Sequence, residues 1–284
     1  MFFLVPRNKQ RKYHKVSNKS NRDQEIDSDS VIVRAFQQFG KELDGKNDKY
    51  ERLVKISRDI TIESKRIIFG LQGLCRSLDI KSDSKKLQEG LKKIMSTHFR
   101  SIAAELDGED HYQFLRAYTP GIQEFIEALT LYNYLIKESL YTWDQLKNDL
   151  CFTVNKPIEE LNEPNDTLKT SLTTTVSALD YVLGVEDLSG ELMRLCINSF
   201  AAGKLDSGFA TCNFVKSLYE GMLRLSPPNA KEFHRKLYVF KQSLVKMETA
   251  CYMMHVRGSE ILTHMLPEVV EERQEEYESG GDFF

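Results

Sequence analysis

The sequence predicts an all-α protein, an antiparallel bundle of about seven helices, several of them long. Three observations carry that prediction. Lys, Glu, Leu and other good helix formers are plentiful, while 284 residues hold only seven prolines and fifteen glycines. Apolar residues recur at three- and four-residue steps over long stretches. No strand-like alternation and no internal repeat stands out. With 41% hydrophobic residues, the chain is long enough for one large or two modest domains.

Residues 1–30 open the chain as a basic arm, expected to be disordered, with seven Lys/Arg against four Asp/Glu. It is either a solvated tail or a nuclear-import signal or accessory RNA contact. From Val31 to about Leu78, Phe36, Phe39, Leu43, Tyr50, Leu53, Ile56, Ile60 and Ile67 mark a long helix, with Gly40 and Gly45 as candidate bends. Ser82-Asp83-Ser84 then offers caps for a second helix that ends near Leu106 in the turn LDGED. A third stretch runs from Asp110 to Ser139, and Pro120 inside it either kinks the helix or starts a new one capped by Thr119. Thr142 caps a short helix beginning at Trp143, an expected core anchor.

Residues 153–175 lack helical periodicity and are rich in Thr, Asn, Pro and acids, so a long mobile surface loop is expected there. Helices follow from about Ser177 to Ala202, Phe209 to Leu225 and Ala230 to Arg257. Residues 267–284 carry one Arg against seven acids and end the chain as a disordered acidic tail, which leaves 31–266 as the helical domain.

Net charge is −3, and once the two ends are set aside the body is neutral. A free-standing nucleic-acid binder usually clusters Lys and Arg, so an RNA substrate would draw much of its positive field from another subunit. Five widely spaced cysteines without a C-x-x-C indicate reduced thiols in a cytosolic or nuclear protein. No run approaches 18 apolar residues, so no membrane span or membrane partner is expected. P-loop, G-x-S-x-G and G-x-G-x-x-G patterns are absent, and the histidines show no ligand-like pairing.

The helix after Ser177 sets Tyr181, Val185, Leu188, Leu192, Leu195 and Ser199 on a core stripe, bordered by Asp187, Glu191, Arg194 and Asn198. Spacing alone leaves two readings open: a solvated edge on which Glu191 pairs with Arg194, or part of a site. Gly184 and Gly190 each cost roughly 1 kcal/mol against Ala within a helix, and close approach of another helix or a ligand, expected at Gly190, would account for one of them. Upstream, Glu124 and Glu127 lie on a helix that is apolar on both sides, where bare carboxylates need Arg, Lys or a metal beside them. Four carboxylates without His suit Mg²⁺, or Mn²⁺, and not a ferritin-like di-iron centre with its Glu-x-x-His.

Four segments, Asp48–Phe69 (DKYERLVKISRDITIESKRIIF), Gly121–Ala128 (GIQEFIEA), Asp180–Ser199 (DYVLGVEDLSGELMRLCINS) and Lys241–Ile261 (KQSLVKMETACYMMHVRGSEI), resemble the translin family in the same order. The resemblance covers about residues 31–265, and Pro120 departs from it. It implies a seven-helix fold and a closed, barrel-like hetero-oligomer with translin. It further implies an Mg²⁺-dependent endoribonuclease that acts on single-stranded RNA, removes nicked passenger strands from the RNA-induced silencing complex and processes small RNAs. The family places catalysis on the subunit that partners translin. Carried over by motif, the acids are Glu124, Glu127, Asp187 and Glu191, with Glu127 and Glu191 as direct metal ligands. Glu186 points about 100° away and is left out. Cytoplasmic and nuclear residence fits the basic arm. A non-catalytic partner that stabilises translin is the alternative, and an all-α nucleotide pyrophosphatase ranks below both.

Overall fold

Helix-forming residues with apolar positions three and four apart fold into eight α-helices in a computed structural model that describes residues 30–74, 80–157, 167–227 and 231–257. In chain order they are α1 (Val31–Leu74), α2 (Ile80–Ile94), α3 (Arg100–Glu105), α4 (His111–Lys137), α5 (Trp143–Asp149), α6 (Ala178–Ala201), α7 (Leu205–Met222) and α8 (Lys231–Arg257). A single π turn, Met95–Phe99, joins α2 to α3, so the two form one continuous helical element and the all-α expectation of about seven helices holds. Most of the basic arm and the whole acidic tail lie outside the described residues.

The chain divides at Lys46 into two units. Within the first, Val31, Ile32, Phe36, Phe39 and Leu43 of α1 are exposed, and the Phe36 and Phe39 rings meet edge-on at 6.0 Å. The second, from Asn47 onward, holds the core, in which Leu53, Ile60, Leu71, Phe99, Phe125, Leu188, Phe200 and Phe240 are fully enclosed.

Local chemistry explains where helices begin and bend. The Ser177 hydroxyl accepts from the Asp180 amide at 3.0 Å and caps α6. Thr142 and Gln145 form a reciprocal capping box on α5. Helix α4 runs unbroken through Pro120, and Thr119, one candidate cap, sits inside it with its hydroxyl donating to the Leu115 carbonyl. Just beyond the proline, the Gly121 amide donates to Ser57 Oγ at 3.0 Å, and a Cβ on Gly121 would stand 2.7 Å from the Ser57 carbonyl. Proline and glycine together let α4 touch α1 where a larger residue would collide.

The π turn has its own signature. Buried positions run Leu91, Ile94, then Phe99, Ile102 and Leu106, so one step spans five residues where three or four is usual. Exposed Ser96 and Thr97 both donate to the Lys93 carbonyl within this widened turn.

Two expectations are corrected. Ser82-Asp83-Ser84 lies inside the first turns of α2, which already begins at Ile80. The described part of residues 153–175 is not the expected loop: strands β1 (Cys151–Pro157) and β2 (Thr167–Thr173) pair antiparallel, Phe152 opposite Leu172 and Val154 opposite Thr170. The reason is that threonine, polar in a hydropathy reading, is β-branched and fits a pleated ribbon. Exposure alternates from Ser171 to Thr174, and buried Thr174 donates to the Phe99 carbonyl at 2.7 Å, which ties the hairpin to the core. Residues 158–166 lie outside the described residues. Trp143 meets its expected role, packed on the core with its indole N–H donating to the Val176 carbonyl at 3.2 Å.

Candidate metal and phosphate site

Glu124 and Glu127 occupy one turn of α4, and Asp187 and Glu191 one turn of α6. The two helices pack closely because α6 presents Gly184. A Cβ there would fall 2.8 Å from Ile126 and 2.9 Å from the Gln123 carbonyl. That contact brings the two acid pairs together: all four carboxylates line one cavity of about 760 Å³, with Lys65, Phe69 and Gln72 of α1 and Gly190, Arg194 and Asn198 of α6.

The electrostatics follow from that proximity. Burial pushes the Glu127 carboxyl up to about 8, aided by the charges of Glu124, Asp187 and Glu191 and opposed by Lys236. Glu124 is raised as well, by burial first, with Lys65 pulling against it.

Each of the other three acids has a cation at hand. Lys65 Nζ stands 3.7 Å from Glu124, Arg194 Nη1 stands 2.5 Å from Glu191, and Lys236 Nζ stands 2.5 Å from Asp187. Gln72 adds an amide N–H to the Glu191 carboxylate at 2.7 Å. Lys236 is the most enclosed of these cations, its side chain 10% exposed, and it also donates to Gln123 Oε1 at 3.0 Å and the Leu183 carbonyl at 3.2 Å.

The donor chemistry suits a hard divalent cation. The cavity offers only oxygen ligands, and such an ion would relieve the repulsion among the four acids that adds to burial in raising Glu127. Among the described residues, however, no three Asp, Glu, His or Cys side chains are grouped to hold an ion as they lie. Asp187 and Glu191 are turned towards Lys236 and Arg194, and an ion would have to draw them back.

The structure thus brings together all four acids singled out in the sequence and realises the Glu191–Arg194 pairing as well. The close helix contact falls at Gly184, while a Cβ on Gly190 would have no protein atom within 4 Å; Gly190 lines the cavity instead. Glu186, left out of the site, is 2% exposed with both carboxylate oxygens lacking partners. Sequence reasoning missed Lys65, Gln72 and Lys236. Only Lys236 carried a signal, a lysine set between the apolar positions Phe233, Leu237 and Phe240.

Residues 48–258 match the Translin family. Translin-associated protein X of Pongo abelii is 40% identical over 256 residues, 89% of this chain and 88% of that protein. Its Mus musculus counterpart is 41% identical over 248 residues, 84% of each. Among solved structures, an AfC3PO–duplex RNA complex superposes with a TM-score of 0.57 at 16% identity, covering 80% of this chain and all of the other.

Proposed function

This chain belongs to the translin family, and we propose that it is the catalytic subunit of an endoribonuclease assembled with translin, one that cleaves single-stranded RNA with Mg²⁺ or Mn²⁺. The observation that carries this reading is the meeting of four carboxylates from two helices in a single cavity. A solved structure of the same fold binds duplex RNA, which supports RNA, without regard to strandedness, as the substrate class. Passenger-strand removal in the RNA-induced silencing complex and small-RNA processing, in cytoplasm and nucleus, are the roles proposed for the assembly.

In this reading Glu127 and Glu191 hold the metal directly, while Glu124 and Asp187 act through water or as the base. When bound, the ion supplies a more acidic water and neutralises charge on the attacked phosphate. The chain's own residues do the rest. Lys65 and Arg194, both more than half exposed, sit at the cavity mouth and attract the phosphate backbone. Lys236, locked between Gln123, Leu183 and Asp187, sets the position of Asp187.

RNA cleavage by the assembled complex carrying Glu127→Ala or Glu191→Ala tests the proposal. Loss of cleavage with assembly intact is expected; activity near wild type overturns it. The pairing of Asp187 with Lys236 and Glu191 with Arg194 favours a second reading, a non-catalytic subunit that stabilises translin and binds RNA or protein. Unimpaired cleavage after all four acids become alanine would establish that one.

A further inference from the structure

The acid-lined cavity continues past Gln72 and Asn198, which also line a second cavity of about 430 Å³. Its walls come from the C-terminal ends of α4 and α6 and the start of α7, and include Tyr134, Leu135, Leu195, Ser199, Ala202 and Lys204. Most polar groups here are satisfied internally. The Tyr134 hydroxyl donates to Thr211 Oγ1 at 2.9 Å, and Thr211 donates to the Ser207 carbonyl at 2.8 Å.

Ser199, only 7% exposed, also lines this cavity. Lys204 and Glu138 line it as well, and Lys204 makes no ion pair among the described residues.

We propose that the second cavity receives one nucleoside of the RNA strand whose neighbouring phosphate lies in the acid-lined cavity. The inference rests on the RNA-cleaving reading above. The volume falls within the range of about 300–1,000 Å³ that small-molecule sites occupy. Leu135 and Leu195 offer apolar surface to a flat base, and Ser199 Oγ offers a hydrogen bond to the base or ribose. Lys65 and Arg194 line the first cavity and Lys204 the second, so each of the two adjoining cavities offers a cation to a phosphate.

The test uses the full chain assembled with translin in a Glu127→Gln background, with binding of a labelled single-stranded oligoribonucleotide read by fluorescence anisotropy. Ala202→Trp, which fills the cavity from an exposed position, is expected to weaken binding about tenfold. Lys204→Ala is expected to weaken it less and to flatten the salt dependence. Oligonucleotides lacking one base at successive positions should reveal one position that matters to the parent complex and not to Ala202→Trp. Wild-type affinity in both variants, or no such position, overturns the inference. Should Ala202→Trp fail to assemble, Lys204→Ala and the base-omission series on the parent complex decide. If the unmodified complex neither binds nor cleaves RNA, the parent reading fails. Cleavage lost in Glu127→Ala while the cavity variants stay silent overturns this inference alone.

Discussion

Two glycines on one helix are expected to respond to alanine with opposite signs. Both substitutions in α6 gain helix propensity, about 0.5–1 kcal/mol each. At Gly190 nothing lies within 4 Å of the new Cβ, so the gain stands and stability rises by that amount. At Gly184 the Cβ would sit 2.8 Å from Ile126 and 2.9 Å from the Gln123 carbonyl, and the second of these is backbone that cannot rotate away. Overpacking of this kind costs about 1–3 kcal/mol, leaving a net loss of about 1–2 kcal/mol. Because propensity is common to both, the difference between the variants isolates the contact of α4 with α6. Thermal melts at fixed protein concentration should show Gly190→Ala above wild type and Gly184→Ala below it by roughly 2–8 °C. On the proposed nuclease reading Gly184→Ala should also lose RNA cleavage, since parting the helices separates Glu124 and Glu127 from Asp187 and Glu191. Gly184→Ala melting at or above Gly190→Ala would refute the reasoning.

Three further outcomes are expected. Lys236→Met leaves Asp187 without its cation and Gln123 and the Leu183 carbonyl without a donor; with Asp187 partly exposed, a loss of about 2–3 kcal/mol in urea unfolding is expected, and an unchanged midpoint would contradict it. Burial pushes the Glu186 carboxyl up to about 8 from 4.5, so the folded state holds a proton that the unfolded chain has released. That contribution is absent below about pH 4.5, grows as pH rises and is complete above about 8, so Glu186→Gln should equal wild type in acid and exceed it by about 1–3 kcal/mol at pH 8.5; a constant difference across that range would exclude the titration as the cause. Thr142→Ala removes the capping box of α5 and should cost about 1 kcal/mol in the same assay, with Thr142→Ser close to neutral.

Much of the site was legible before folding because it is written in single helices. Spacing put Asp187 and Glu191 on one edge of α6, and the two-sided apolar character of α4 placed Glu124 and Glu127 among buried neighbours. The neutralising partners were not legible, since Lys65 and Lys236 belong to α1 and α8 and meet the acids of α4 and α6 only after four helices pack. The hairpin escaped for a different reason: its alternation is carried by threonine, which reads as polar in composition and as a strand former in shape. Cys196, Cys212 and Cys251, isolated in sequence, come from α6, α7 and α8 close enough that Cys251 helps push the Cys212 thiol up and Cys196 helps push the Cys251 thiol up, and no spacing rule foretells that.

The π turn between α2 and α3 stores information in the number of residues as well as in their kinds. Removing either Ser96 or Thr97 would let the helix close into regular α geometry, which locally is an improvement. It would also rotate everything after the turn by about 100°, carrying Phe99, Ile102 and Leu106 out of the core and the Phe99 carbonyl away from Thr174. At this point the chain should accept many letters and no deletion. An exposed serine or threonine that looks replaceable by composition is, by count, among the least dispensable residues of the fold.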